Sequence, residues 1–175
     1  MLIPNLLLLA GTGTKSGKTF MACRIIEQFR NLKITAIKIS PHFHETTPGL
    51  ILRSQEKGYS IYEETDTDTS KDTSRMLHSG AHTAYFAQVR DDELLNVFNE
   101  IMEYIPLNAP VICESSALRN YIEPGVFIIM TLNTANKQIN ISHLQVLPHL
   151  MFKLEELEKT ESLPIGFEDG RWFYK

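Results

Sequence analysis

A lysine-threonine pair, Lys18-Thr19, closes the run Gly11-Thr12-Gly13-Thr14-Lys15-Ser16-Gly17, which directly follows the apolar stretch Leu6-Leu7-Leu8-Leu9-Ala10. That arrangement suits a polyphosphate. A buried strand stops, glycines let the backbone aim successive N–H groups at one point, and the helix beginning there turns its positive end the same way. In such a loop Lys18 supplies a point charge to the β- and γ-phosphates, and the Thr19 hydroxyl is placed to ligate Mg²⁺. Gly11, Thr12, Gly13, Thr14, Lys15, Ser16, Gly17, Lys18, Thr19 and Phe20 are the expected binding stretch for GTP or ATP, with Lys15 itself reading as a solvated loop lysine. The usual motif, G-x-x-x-x-G-K-[ST], asks for glycine at Thr12; glycines at 11 and 13 flank that position instead and keep the turn permissive. A glycine-rich strand-to-helix turn with no ligand is the plain alternative.

Other chemistry-bearing groups fall where they could join this loop. Glu114 follows the apolar Val111-Ile112-Cys113, where a carboxylate can hold Mg²⁺ directly or through water. Lys18 and Glu114 are thus the candidate catalytic residues, and Thr19 and Glu114 the candidate metal ligands. The alternative for Glu114 is a strand-end carboxylate hydrogen-bonded to a neighbouring loop. His42 and His44 alternate along Ser40-Pro41-His42-Phe43-His44-Glu45 and are candidate substrate contacts; zinc would require a further ligand that the sequence does not identify. Asp72, in Lys71-Asp72-Thr73-Ser74, is either a helix N-cap or a third substrate contact near the phosphates. Asn136-Lys137-Gln138 approaches a guanine-reading Asn-Lys-x-Asp, but residue 139 is Ile, so base preference stays open. Ser115 and Ser116 lack the flanking glycines of a nucleophile elbow, and no arginine finger is evident.

The elements that must position these groups read as alternating strands and helices. Leu6–Ala10 is a strand buried on both faces. From Lys18 to about Asn31 the apolar residues Phe20, Met21, Ile25, Phe29 and Leu32 recur near helical spacing. Ile34–Ile39 is a second strand, expected to pair in parallel with the first in one right-handed βαβ unit. Ser40 to about Lys71 reads as loop or flap, with at most a short strand at Tyr59–Tyr62. A brief helix capped by Asp72 or Thr73 reaches His78 and closes at Ser79-Gly80.

Thr83–Val89 is a strand, and Asp91-Asp92-Glu93 open a helix whose stripe is Leu94, Leu95, Phe98, Ile101, Met102 and Ile105. Val111–Cys113 and Val126–Met130 are buried strands, with a turn or short helix at Ala117–Tyr121 between them. Past Leu132 the signals fade. Pro148 argues against one helix over Leu144–Phe152, Lys153–Lys159 looks helical, and Asp169-Gly170 marks a terminal hairpin. The sum is an α/β domain over residues 1–175, with a mainly parallel sheet, helices on both faces and an ill-defined part from about 133 onward. Its ligands are expected beyond the carboxyl ends of the strands.

With 175 residues, 43% hydrophobic and 22% charged, the chain can bury a sizeable core. A net charge of -4 and no basic cluster argue against a nucleic-acid or anionic-membrane surface. Cys23 and Cys113 have no metal-ligand spacing and suit a reducing compartment. No apolar run approaches the roughly 20 residues of a membrane span, nor is there a basic region before the leucines, so a cytoplasmic location is expected.

Two family resemblances follow from these blocks. The stretch from Gly11 to Thr19 resembles the loop of dethiobiotin synthetases, G-T-x-T-x-x-G-K-T, over about the first forty residues. More of the chain, roughly residues 5 to 130, is similar to the molybdopterin-guanine dinucleotide biosynthesis protein B family. The blocks are the loop and its helix, Ile37-Lys38-Ile39-Ser40-Pro41-His42-Phe43-His44, then Lys71-Asp72-Thr73-Ser74 through Ser79-Gly80-Ala81, and Ile112-Cys113-Glu114-Ser115. Ser40 stands where that family usually has histidine, and Ser115 where glycine commonly follows the Glu. The resemblance implies a P-loop NTPase-like three-layer sandwich that binds GTP or ATP with Mg²⁺. It also implies an adaptor role in molybdenum cofactor biosynthesis with weak GTPase activity, a biosynthetic partner protein and a homodimer. The likeness to the synthetases implies an ATP-dependent small-molecule ligase or kinase instead.

Overall fold

The structure is a computed structural model that describes residues 1–13, 15–131, 142–157 and 159–175. Leu6, Leu7, Leu8 and Leu9 are fully buried because β1 (Leu2–Gly11) runs through the interior of an eight-stranded sheet. Alternate side chains then meet different partners. Leu6 and Leu8 pack with Leu94, Val97, Phe98 and Ile101 of α3 (Leu94–Glu103), whose spacing gives one apolar stripe. Leu7 and Leu9 pack with Met21, Ala22, Ile25 and Ile26 of α1 (Lys18–Gln28). Helices therefore cover both faces, and the architecture is α/β with a mostly parallel, mixed sheet.

The remaining strands are β2 (Thr35–Ser40), β3 (Leu50–Glu56), β4 (Tyr59–Glu64), β5 (Thr83–Val89), β6 (Val111–Glu114), β7 (Glu123–Thr131) and β8 (Leu150–Lys153). Their order is β3-β4-β5-β2-β6-β1-β7-β8. From β5 to β8 neighbours are parallel, whereas β3, β4 and β5 pair antiparallel. A separate hairpin, β9 (Ile165–Glu168) and β10 (Arg171–Tyr174), turns at Asp169 and Gly170, both at positive φ as an Asp-Gly turn requires. Its Trp172 joins the α1 face of the core and donates from Nε1 to the Val111 carbonyl at 3.2 Å.

Four expectations need correction. β1 and β2 do not pair; β6 lies between them, which carries Glu114 into the space between the glycine loop and β2. The expected short strand at Tyr59–Tyr62 is there as β4, but residues 50–56 are not loop: they are its partner β3, in a hairpin turning at Gly58, whose φ is +108°. Its outer strand β3 is an exposed edge without a clean apolar alternation, which is why the pattern hid it. Leu150–Lys153, beyond Pro148, is a sheet strand, completing the parallel set next to β7. Asp72 does not cap α2 (Asp72–His78): Lys71 holds the N-cap position, and Asp72 is the first helical residue, its carboxylate turned to a lysine described below. The Asn136-Lys137-Gln138 stretch lies outside the described residues. Among the described residues no helix is long and apolar enough to cross a membrane.

Candidate functional site

The loop after β1 folds back over its own strand end. A Cβ on Gly11 would sit 2.2 Å from Ser16 Oγ and 3.0 Å from the Lys18 stem, so a side chain there would push Ser16 and Lys18 from these positions. Lys15 and Gly17 both take positive φ, 64° and 89°, and Gly17 caps α1 by backbone alone. Lys18 Nζ lies over the loop, donating to the Gly13 carbonyl at 2.9 Å and to Ser16 Oγ at 3.2 Å. Thr12 N–H is spent on the Met130 carbonyl at 3.0 Å, tying the loop to β7. Thr14 lies outside the described residues.

Three strand ends bring the charged groups together. Glu114 ends β6, directly beside Leu9 of β1 on one side and Lys38 of β2 on the other. Its carboxylate is 2% exposed yet well satisfied: Thr19 Oγ1 donates to Oε2 at 3.0 Å, Lys38 Nζ donates to Oε1 in close contact, and Lys18 Nζ stands 3.9 Å away. Lys38 Nζ is also 3.2 Å from Asp72 Oδ2 at the start of α2. Two lysines are thereby matched by two carboxylates, with Thr19 between.

This matching has electrostatic consequences. Burial holds the Lys18 ammonium below its ordinary pKa, and the nearby positive charge of Lys38 adds to that, against the opposing pull of Glu114. For Lys38 burial works the same way, but the charges of Glu114 and Asp72 outweigh it and raise the pKa. Asp72 resists ionisation through partial burial; Lys38, with help from the Thr19 hydroxyl, overcomes this and holds it below the usual carboxylate range.

Around this centre are three cavities. The first, of about 530 Å³, is lined by Lys15 to Phe20, Lys38, Asp72, Arg75, Glu114 and Leu154. A second, of about 360 Å³, opens across Gly11, Lys18, Lys38, Ser40, His42, Glu114 and Ser116. The third, of about 470 Å³, lies outward between Lys38, Asp72, His44, Lys71, Glu64 and Phe86. Lys38 borders all three.

Of the residues singled out from sequence, the loop, Lys18, Thr19, Glu114 and Asp72 meet at one place. His42 and His44 are both exposed with ring centroids 6.1 Å apart, His42 on the second cavity and His44 on the third. No group of three or more His, Cys, Asp or Glu with metal-binding geometry occurs among the described residues. Lys38 and Arg75 were not recognised from sequence. The signal for Lys38 was available, since a lysine interrupting Ala36-Ile37 and Ile39 in a buried strand must find a carboxylate. Arg75 carries no such signal, because only the placement of α2 brings it to the first cavity. No family model, curated protein or solved structure matches this chain.

Proposed function

We propose that this chain is a P-loop protein that binds a nucleoside triphosphate, GTP or ATP, together with Mg²⁺. The observation that carries this reading is the meeting of Lys15, Ser16, Gly17, Lys18 and Thr19 of the loop with a buried Glu114 on one cavity. The loop amides and Lys18 would hold the β- and γ-phosphates. The donor set suits Mg²⁺, being hydroxyl and carboxylate oxygen. Thr19 donates its proton to Glu114, leaving a hydroxyl lone pair for the cation, with Glu114 orienting the ligand from behind. On ligand entry the carboxylates would turn from lysine to metal and the lysines from carboxylate to phosphate. The resemblance to the molybdopterin-guanine dinucleotide biosynthesis protein B family extends the proposal to a cytoplasmic, homodimeric adaptor with slow hydrolysis and a biosynthetic partner protein.

Thermal melting with GTP, ATP or GDP and Mg²⁺, on wild type and Lys18→Ala, tests the core of it. At a ligand concentration of 100 Kd a bound triphosphate should stabilise the wild type by about 2.7 kcal/mol, and Lys18→Ala should lose most of that shift. An unchanged wild-type melting curve at millimolar Mg-nucleotide would sink the proposal.

The outward cavity favours a second reading, an ATP-dependent ligase or kinase acting on a small molecule. Lys38 and Asp72 form a wall common to that cavity and the loop cavity, so a nucleophile held beside Phe86 could face the terminal phosphoryl group. Release of ADP only when an acceptor is added would favour this reading over a nucleotide-binding adaptor.

A further inference from the structure

The charges around the loop cavity are unequally committed. Lys18 and Lys38 are already engaged with Glu114 and Asp72. Arg75, on the same cavity wall, is exposed; its charge is felt by Asp72 and Cys23, yet among the described residues no group accepts a hydrogen bond from its guanidinium or pairs with it in a salt bridge. It follows Asp72 by three positions on α2, so the two project from neighbouring points of one helical face. Asp72 is anchored to Lys38 at the cavity's centre, which sets the direction in which Arg75 can reach. Arg75 also borders a cavity behind α1, lined by Phe20, Cys23 and His78, so it stands on a rim between that space and the loop.

We infer that Arg75 is a phosphate-reading cation supplied by the chain itself: it swings from the rim over the bound nucleotide and pairs with the terminal phosphoryl group, distinguishing triphosphate from diphosphate. The inference rests on the nucleotide reading above. An arginine suits the task because its planar fork can engage two phosphate oxygens at once, and its charge does not titrate away. A diphosphate seated on the loop amides and Lys18 lacks the group that the fork would grip, so Arg75 should contribute little to it.

The test measures Kd by titration calorimetry, in the presence of Mg²⁺, for the non-hydrolysable β,γ-imido triphosphate and for the diphosphate of the preferred base. Wild type, Arg75→Ala and Arg75→Lys are compared, with melting curves to establish that each is folded. The expected result is a loss of about tenfold or more in triphosphate affinity for Arg75→Ala, with diphosphate affinity within about twofold of wild type. Arg75→Lys should recover only part of the loss, and added guanidinium ion should restore triphosphate binding to Arg75→Ala selectively. Equal losses for both nucleotides, or none for either, would overturn the assignment while leaving the nucleotide site standing. A wild-type protein that binds neither nucleotide overturns both.

Discussion

Two carboxylates are buried at strand ends of the sheet, Glu114 at the carboxyl end of a parallel strand and Glu64 beside the amino-terminal part of β5, and they are satisfied in different ways. Glu64, 4% exposed at the end of β4, accepts from the backbone N–H groups of Thr65 and Asp66 and from the Thr73 hydroxyl. Two of those donors are local backbone amides, which cannot turn away to a ligand, and the third is a hydroxyl in the first turn of α2. Glu114 at the end of β6 is held instead by the ends of two flexible lysine stems and by the Thr19 hydroxyl. Each of these partners could turn to an incoming phosphate or metal. A buried acid fastened by backbone amides is structural, whereas one fastened by side chains that have another use is prepared for exchange.

Breaking the side-chain network should give the largest effect. Lys38→Met removes the close cation from a carboxylate that remains buried, and the expected loss is about 3 kcal/mol in denaturant unfolding. Replacing both members, Lys38→Met with Glu114→Leu, should recover more than half of that loss, because an apolar pair needs no charge balance. A double mutant as unstable as the sum of its parts would show that Lys38 and Glu114 are not energetically coupled.

Neutralising each acid in place sharpens the contrast at smaller cost. Glu64→Gln keeps an acceptor for both amides and should cost about 1 kcal/mol, with the nucleotide-induced melting shift unaltered. Glu114→Gln should lose the Mg²⁺-dependent part of that shift while still responding to nucleotide alone. The comparison fails if both variants respond to Mg²⁺-nucleotide as wild type does, or if Glu64→Gln is the one that loses the response.

The sequence and the structure agree best where local rules dominate. The leucine run, the α3 stripe and the Asp169-Gly170 turn each carry their own signal, in burial, period and φ respectively. The loop and Glu114 were legible because glycine spacing and an acid after an apolar strand are local patterns. Strand order was not. Inserting β6 between β1 and β2 is a tertiary fact, and on it depends the meeting of Glu114 with Lys38. The same row of the sheet sets Phe86, stacked on Tyr62, beside Lys38. From sequence alone Lys38 was one residue of a strand, Asp72 either a helix cap or a substrate contact near the phosphates, and His42 and His44 substrate contacts on one loop. The partners of Lys38 lie across the sheet on β6 and at the start of α2, where sequence neighbours give no guide.

The smallest effect concerns pH and discriminates between the two ends of the Lys38 bridge. Asp72, although burial opposes its charge, is held below its ordinary range chiefly by Lys38, so its contribution is present above the unfolded carboxylate value of roughly 4. That contribution is lost as pH falls through the lower, folded value. Lys38 is raised, so its contribution is full below the unfolded lysine value of roughly 10.4 and is lost as pH climbs past the higher, folded one. The Asp72 side chain is 39% exposed, and solvent screening limits its share to a fraction of about 1 kcal/mol. Asp72→Asn should therefore reduce wild-type stability only slightly at neutral pH and flatten the acid limb between about pH 4 and the folded value. The alkaline limb, governed by Lys38 against Glu114, should persist. Chemical unfolding of both proteins across that range checks it. An acid limb of equal steepness in Asp72→Asn would mean that Asp72 takes no part in holding Lys38, and that Glu114 alone fixes the lysine between the cavities.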